Sequence, residues 1–148
     1  MDRKKIFLNK ETHYNSRIKT LDRAYNLYAT IRVIVFLGGL AATIYFASIG
    51  NGGAFALALA TFLVVFALVV KRHNRISHAR KMSQHLAKIN RDEILRLSVR
   101  LDGFPDGSMF HEDQHAYAKD MDLFGRNSLF QLINRTTTPM GARKIAGW

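Results

Sequence analysis

Two long stretches of the chain are apolar and carry no charged residue. Residues 33–49 read VIVFLGGLAATIYFASI, and residues 54–70 read AFALALATFLVVFALVV. A helix of a soluble protein normally has a polar face, and neither stretch has one, which argues against the alternative of a buried hairpin in a soluble domain. Each stretch approaches the roughly 20 residues that a helix needs to cross the bilayer core. We therefore predict two transmembrane helices joined by the turn GNGG at residues 50–53.

The basic residues of the chain flank this predicted hairpin on both sides. The net charge is +11, and the turn between the two apolar runs carries none of it. The flanking residues are Arg17, Lys19, Arg23 and Arg32 before the first run, and Lys71, Arg72, Arg75, Arg80 and Lys81 after the second. Because Lys and Arg mark the cytoplasmic side of membrane helices, we predict that both termini are cytoplasmic. Anionic lipid on that side would strengthen the anchoring, and the basic excess then requires no nucleic acid.

The segments on either side of the runs have helical apolar stripes. In residues 12–30 the stripe consists of Tyr14, Ile18, Leu21, Tyr25 and Tyr28, and in residues 74–101 it consists of Ile76, Ala79, Met82, Leu86, Ile89 and Leu97. We predict that these segments continue the hairpin as an antiparallel helix pair, with a helix stop at Asp102-Gly103. The predicted domains are a cytoplasmic amphipathic basic helix (1–32), a transmembrane helical hairpin (33–70), a cytoplasmic helix (71–102) and a final segment (103–148).

Small residues in the apolar runs suggest how the two spans approach each other. Gly38 and Ala42 form one small-xxx-small pair, and Ala56 and Ala60 form another. Such pairs let membrane helices pack closely. They are also frequent in membrane helices that make no such contact, so both interpretations stay open.

The sequence HEDQH at residues 111–115 has the H-E-x-x-H form of a zinc metalloprotease helix. His111 and His115 could bind one ion, with Glu112 positioning a water. No His or Glu follows as a third ligand, which leaves Asp120 or Asp122, and the chain has no cysteine. We therefore predict no metal site, with His111 and His115 as weak candidates only.

The last thirty residues contain two helix starts. Asp120 to Gly125 alternates polar and apolar residues, which predicts a short strand that leads into a turn. Asn127 or Ser128 can cap a helix through Leu129 to Ile133. Thr138 and Pro139 suit the N-cap and first position of a further helix, which we expect to continue to Trp148. A chain that stops in mid-helix would be a fragment of a longer protein.

The stretch DMDLFGRNSLFQLINRTTTPMGARKIAGW resembles the start of the core domain of MutS-type mismatch-repair ATPases. The matching features are Ser128-Leu129 at a helix start, Asn134-Arg135-Thr136, and Thr138 three residues before Gly141; Arg143, Ile145 and Trp148 match the helix that follows. The preceding run from His115 to Gly125 is similar to membrane-tethered bacterial MutS-like proteins, in which a two-span hairpin precedes the core.

The resemblance implies a membrane-tethering N-terminal module in the bacterial inner membrane. It implies a mainly α fold in which a connector leads from the hairpin into a truncated MutS-type helical core. The implied structural connector residues are His115, Tyr117, Asp120, Asp122, Gly125, Ser128, Asn134, Thr138 and Gly141. The implied partners are the bilayer and the rest of the MutS-like chain, and a homodimer stays open.

Catalysis would belong to the full-length parent rather than to this chain. The sequence contains no G-x-x-x-x-G-K-[ST] phosphate loop, so we expect no enzyme activity and no cofactor here. ATP, magnesium and mismatched DNA would be bound by the parent. Two alternatives remain: a small membrane zinc metalloprotease that uses HEDQH, and a stand-alone two-span membrane protein with a partner-binding tail.

Overall fold

The computed structural model describes residues 2–110 and 122–147. Four α-helices lie in this part of the chain, α1 (Arg3–Ser48), α2 (Gly52–Leu97), α3 (Leu129–Ile133) and α4 (Pro139–Ala146), together with a 3₁₀ turn at Ser108–Phe110. No strand occurs in these described ranges. The predicted mainly α fold is therefore confirmed, whereas a MutS-type core is not established by it.

The chain divides into two compact units. The hairpin unit is Asn9–Ile89, and the terminal unit combines Met1–Leu8 with Asn90–Trp148. Within the hairpin unit we call residues 33–70 the apolar hairpin, and residues 9–32 and 71–89 the basic stem.

Helices α1 and α2 contain 46 residues each. At 1.5 Å per residue, each is about 70 Å long, roughly twice the thickness of a bilayer core. Neither helix breaks where its apolar run meets its basic segment, near Arg32 in α1 and Lys71 in α2. Each predicted span and its flanking segment therefore form one continuous helix.

The turn between α1 and α2 is shorter than the GNGG sequence suggested. Gly50 has a φ of +72°, a left-handed conformation that glycine adopts without steric cost. The Asn51 side chain then caps α2 by accepting a hydrogen bond from the Ala54 backbone N–H at 3.1 Å. Gly52 and Gly53 consequently belong to the first turn of α2 rather than to the loop.

The two helices of the hairpin unit run antiparallel. Asp22 pairs with Arg80, the rings of Tyr25 and His73 lie 4.6 Å apart, and the rings of Phe36 and Phe62 lie 6.2 Å apart. Each pair is placed nearly symmetrically about the turn. This pairing keeps one register from the stem to the apolar hairpin.

The packed face of α1 in the stem is the predicted one, since Tyr14, Ile18, Leu21, Tyr25 and Tyr28 are all half-buried. The stripe predicted for α2 is wrong in part. Its members Met82, Ile89 and Leu97 are exposed, whereas Ile76 is buried and Ala79 and Leu86 are half-buried, as predicted. The other buried stem positions of α2 are His73, Ser83 and Ala87. The spacing of large apolar residues identified this face only in part, because three of its four buried residues are small or polar.

Helix α2 ends at Leu97, five residues before the predicted stop at Asp102. The Arg100 backbone N–H donates to the Leu95 carbonyl, and the Val99 N–H donates to the Arg96 carbonyl. These two bonds form a Schellman motif, which places Val99 in the left-handed region with a φ of +52°. A β-branched residue rarely adopts that conformation, so the sequence offers no signal for a helix end at this point.

The two short helices begin where the sequence predicts. Ser128 caps α3, with its side chain accepting from the Gln131 N–H, and Thr138 caps α4, with its side chain accepting from the Gly141 N–H. Helix α4 ends at Ala146 and Gly147 is its C-cap, so the expectation of a helix that continues through Trp148 is wrong.

The predicted strand at Asp120–Gly125 is also wrong for its described residues, 122–125, which form turns and bends. Asp122 and Gly125 both have positive φ values, of +46° and +100°. The carbonyls of Asp122 and Leu123 accept hydrogen bonds from the first two N–H groups of α3, at 3.0 and 3.1 Å. This loop therefore folds back as the N-terminal cap of α3, which a strand could not do.

Candidate membrane anchor

Both long helices are apolar enough, over at least 18 residues, to cross a membrane. Within those windows only 6% of α1 and none of α2 is buried. The central helix of a soluble protein passes the same composition test, but it is mostly buried. The outward-facing side chains include Ile34, Leu37, Ile44, Leu57, Leu63, Val64 and Leu68, each more than half exposed. These helices are therefore candidate membrane-spanning segments.

Close contact between the spans is made at Gly39, not at the predicted Gly38. A Cβ atom at Gly39 would lie 2.6 Å from Cγ of Phe62, whereas one at Gly38 would meet nothing within 4 Å. The predicted Ala56 and Ala60 are exposed as well. The small residues that line a groove of about 450 Å³ between the spans are Gly39, Ala42, Ala54 and Ala58. Of the two predicted pairs, only Ala42 lies at this groove.

Two hydroxyl groups in the apolar hairpin form hydrogen bonds within their own helix. Thr43 is the buried residue of α1, and its hydroxyl donates to the Leu40 carbonyl at 2.8 Å. The Ser48 hydroxyl donates to the Tyr45 carbonyl at 2.8 Å. Such bonds are required in lipid, where no water can replace them.

A polar cluster joins the two helices of the basic stem just beyond the apolar hairpin. Arg80 forms an ion pair with Asp22, and its guanidinium lies 5.2 Å from the ring centroid of Tyr25. The ring of His73 packs against the ring of Tyr25, and His73 is only 7% exposed. Its Nδ1 atom has no hydrogen-bond partner among the described residues. The cluster fixes the stem register through specific contacts rather than through apolar burial alone.

The remaining stem charges are mostly basic and exposed. Between Asp22 and Asp92 the sequence contains no acidic residue. Exposed Lys and Arg residues in this interval are Arg23, Arg32, Lys71, Arg72, Arg75, Lys81, Lys88 and Arg91. The side of the hairpin that holds both of its open ends is therefore strongly positive, and the Gly50–Asn51 turn is uncharged.

The described connector residues predicted from the sequence all lie in the terminal unit, where four of them surround α3 and its N-terminal loop. Ser128 and Asn134, at its two ends, are 1% and 6% exposed. The Ser128 hydroxyl is 3.4 Å from the Asp106 carbonyl, which also accepts from the Gly125 N–H at 2.9 Å. Asp122 caps α3 through its carbonyl, as described above. These contacts make local turns rather than a site that converges on a ligand.

Thr138 and Gly141 are adjacent in the first turn of α4, where the Gly141 N–H donates to the Thr138 hydroxyl at 3.2 Å. His111, His115, Tyr117 and Asp120 lie outside the described residues, so the HEDQH site and that part of the connector are not addressed by the structure.

Sequence reasoning missed a buried polar network in the terminal unit. Arg96 is 8% exposed, and its Nη2 donates to the Asn134 carbonyl at 2.9 Å. Its Nη1 donates to Glu93 at 3.0 Å, and its guanidinium lies 4.2 Å from the ring centroid of Phe104. Arg135 makes two further bonds of 2.8 Å to the Glu93 carboxylate. The only sequence signal was the i, i+3 spacing of Glu93 and Arg96, which is common on exposed helix faces.

The charges of this network affect the pKa of Glu93. The side-chain hydrogen bonds from Arg135 are the largest influence and lower the pKa of the Glu93 carboxyl, while partial burial opposes them. The same bonds raise the pKa of Arg135. The network thus favours the ionised pair at neutral pH.

The described residues do not fit a metal or nucleotide site. No group of three or more His, Cys, Asp or Glu side chains that could hold a metal ion occurs in residues 2–110 and 122–147. The sequence also contains no G-x-x-x-x-G-K-[ST] phosphate loop. Comparisons with protein-family models, curated proteins and solved structures gave no match for the chain.

Proposed function

We propose that this chain is a membrane anchor: a two-span helical hairpin that holds the terminal unit at the cytoplasmic face of a bacterial inner membrane. The observation that supports the proposal is the change from apolar to basic residues along each unbroken helix. In both α1 and α2 an exposed apolar half continues directly into an exposed basic half. Lipid suits the first half, and the headgroup region and cytoplasm suit the second.

The proposed orientation places residues 9–32 and 71–89 in the cytoplasm and the Gly50 turn on the opposite side. All Lys and Arg residues of the hairpin unit lie in the stem. Moving them across the membrane would be costly, whereas the uncharged turn can cross. The length of the helices leaves about half of each outside the bilayer, so the stem would extend into the cytoplasm.

We propose that the protein tethered in this way is a MutS-like ATPase. The basis is that residues 120–148 resemble the start of a MutS-type core, and that residues 115–125 and the preceding hairpin resemble membrane-tethered MutS-like proteins. In that proposal the chain has no catalytic role, and ATP, magnesium and mismatched DNA bind elsewhere in the parent. The test is the gene sequence past codon 148: an ATPase reading frame in phase is expected, and a stop codon would contradict this part of the proposal while leaving the anchor intact.

Membrane extraction tests the anchor. The expressed chain should stay in the membrane pellet after washes with about 1 M salt and with alkaline carbonate, which strip peripheral proteins that are held by charge. Detergent should release it. Release by salt alone would show a surface-bound basic protein and would overturn the proposal. Zinc analysis of the same purified sample addresses the metalloprotease alternative, since about one zinc per chain, lost in His111→Ala, would favour it.

A further inference from the structure

An open groove of about 740 Å³ lies on α2 where the apolar hairpin meets the basic stem. At its apolar end the groove is lined by Phe66 and Val70, and at its polar end by Lys71, Asn74, Arg75 and His78. We propose that this groove is a binding site for an anionic phospholipid, with the phosphate at the polar end and an acyl chain along the apolar end. The inference rests on the proposed membrane anchor and adds a specific lipid partner to it.

The polar end is complementary to a phosphate group. Lys71 and Arg75 are one helical turn apart, so their side chains share a face of α2, and so do Asn74 and His78. All four side chains can donate hydrogen bonds, and none of the described lining residues is acidic. A phosphate could therefore accept from several donors without meeting a like charge.

The two charges in the groove form no ion pair within the part of the chain that the structure describes. Arg80, about one turn further along α2, is held by Asp22 and Tyr25. In contrast, neither Lys71 nor Arg75 forms an ion pair with any residue in the described ranges, and both are exposed. Their charges are thus available to an external anion.

The apolar end indicates a lipid rather than a nucleic acid. Phe66 is held in place by ring contacts with Phe36 and Phe62, at 5.9 and 5.8 Å between centroids, which gives the groove a defined wall. That wall continues into the exposed apolar run of α2. An acyl chain would cover this apolar wall. A DNA duplex has a charged phosphate backbone and could not enter a bilayer to reach the wall.

The experiment compares lipid selectivity in two variants of equal charge. The full chain is placed in lipid discs of equal parts phosphatidylglycerol and phosphatidylcholine, and the lipids that remain bound are counted by native mass spectrometry. Lys71→Gln/Arg75→Gln removes the two groove charges. Lys81→Gln/Lys88→Gln removes two exposed stem charges that lie about 9 and 20 Å beyond Arg75 along α2, further than the screening length of roughly 8 Å at physiological salt. Discs expose both lipid faces, so an altered insertion direction cannot produce the result.

The groove variant should lose the preference for phosphatidylglycerol by roughly thirty-fold, about five-fold for each charge, and the control should keep it. Equal losses in the two variants would show general attraction to anionic lipid and would overturn the site. A chain that inserts but shows no preference would overturn it too, while the anchor would stand. A chain that does not stay in the discs would remove both proposals. Competition by soluble glycerol phosphate, or binding of a DNA duplex through Lys71 and Arg75 in neutral discs, would assign the groove to a free phosphate or to nucleic acid instead.

Discussion

In the apolar hairpin most of the large apolar side chains are exposed, and Thr43 is the one buried residue of positions 33–70. The terminal unit differs, because it buries Leu101 and Phe130, at 2% and 3% exposed, together with polar residues such as Arg96, Gln131 and Asn134. Burial of apolar surface from water explains the second arrangement but not the first. This difference is what we expect if the terminal unit folds in water and the apolar hairpin is surrounded by lipid, as proposed above.

The largest effect should come from the buried network of the terminal unit. Arg96→Ala removes the donor to the Asn134 carbonyl, one partner of Glu93 and the contact with Phe104. We expect a loss of about 3 to 5 kcal/mol in the free energy of unfolding, because breaking a buried pair leaves polar groups unsatisfied. The measurement is chemical denaturation in detergent, in which a spectroscopic probe in the terminal unit reports unfolding.

Arg126→Ala is the matched control for this change. Arg126 pairs with Asp102 at 3.0 Å, but both side chains are largely exposed, at 81% and 70%. The control should alter stability by no more than about 0.5 kcal/mol. Similar losses in the two variants would mean that the Arg96 network does not hold the terminal unit together.

A charge placed in the apolar hairpin should be the next largest change. Leu63 is 55% exposed near the middle of the apolar part of α2. Leu63→Arg should reduce membrane insertion by roughly a hundredfold, equivalent to about 3 kcal/mol at the centre of a span. Gln84→Arg, on the exposed face of the stem, should leave insertion unchanged. The insertion of both variants is measured in a glycosylation-based assay. If Leu63→Arg inserted normally, lipid would not be the solvent of this surface.

The contact between the spans predicts a smaller loss. In Gly39→Ala the new methyl group would overlap the ring of Phe62, so one helix or the ring must shift. We expect a cost of about 2 kcal/mol, typical of overpacking. Gly38→Ala meets open space and should be neutral. Thermal unfolding in detergent micelles compares the two variants, and equal melting temperatures would place the helix contact elsewhere.

A stabilising change is expected at the end of α2. Val99 is a β-branched residue with a φ of +52°, and its side chain is exposed. Val99→Gly removes the steric cost of that conformation, which is about 1 to 2 kcal/mol, at the expense of some backbone entropy in the unfolded chain. A net gain of about 1 kcal/mol in a denaturant titration is expected. Destabilisation by a similar amount would show that α2 does not end in this motif.

The smallest effect is a dependence on pH. The folded-state pKa of Glu93 is lowered, chiefly by the hydrogen bonds from Arg135, so the ionised pair contributes stability above the unfolded value of 4.5. That contribution is lost as the pH falls from this value through the lower folded pKa. Glu93→Gln should therefore flatten the acid limb of the stability profile of the terminal unit. An unchanged acid limb would show that other carboxyl groups control it.

The features that the sequence revealed are local, and those it missed depend on a partner far along the chain. The apolar runs and the Ser128 and Thr138 caps were predicted because each signal lies within one element. The packed face of α2 was predicted only in part, since it depends on the residues that α1 presents opposite it. Arg96 was missed because its acceptor, the Asn134 carbonyl, lies 38 residues away.

The left-handed conformation of Val99 was hidden for a different reason. Its residue type argues against that conformation, and only the hydrogen bonds at the end of α2 specify it. The MutS-like core remains a prediction, because α3 and α4 are too short to distinguish one helical fold from another.

The most direct test of the membrane hairpin is the accessibility of single cysteines, since the chain has none of its own. Asn15→Cys, Asn51→Cys and Gln84→Cys are exposed positions at which no charge is altered. In intact cells an impermeant maleimide should label only position 51, and permeabilisation should add positions 15 and 84. Labelling of all three in intact cells, or of none until the cells are permeabilised, would contradict a hairpin that crosses the membrane twice with its basic stem in the cytoplasm.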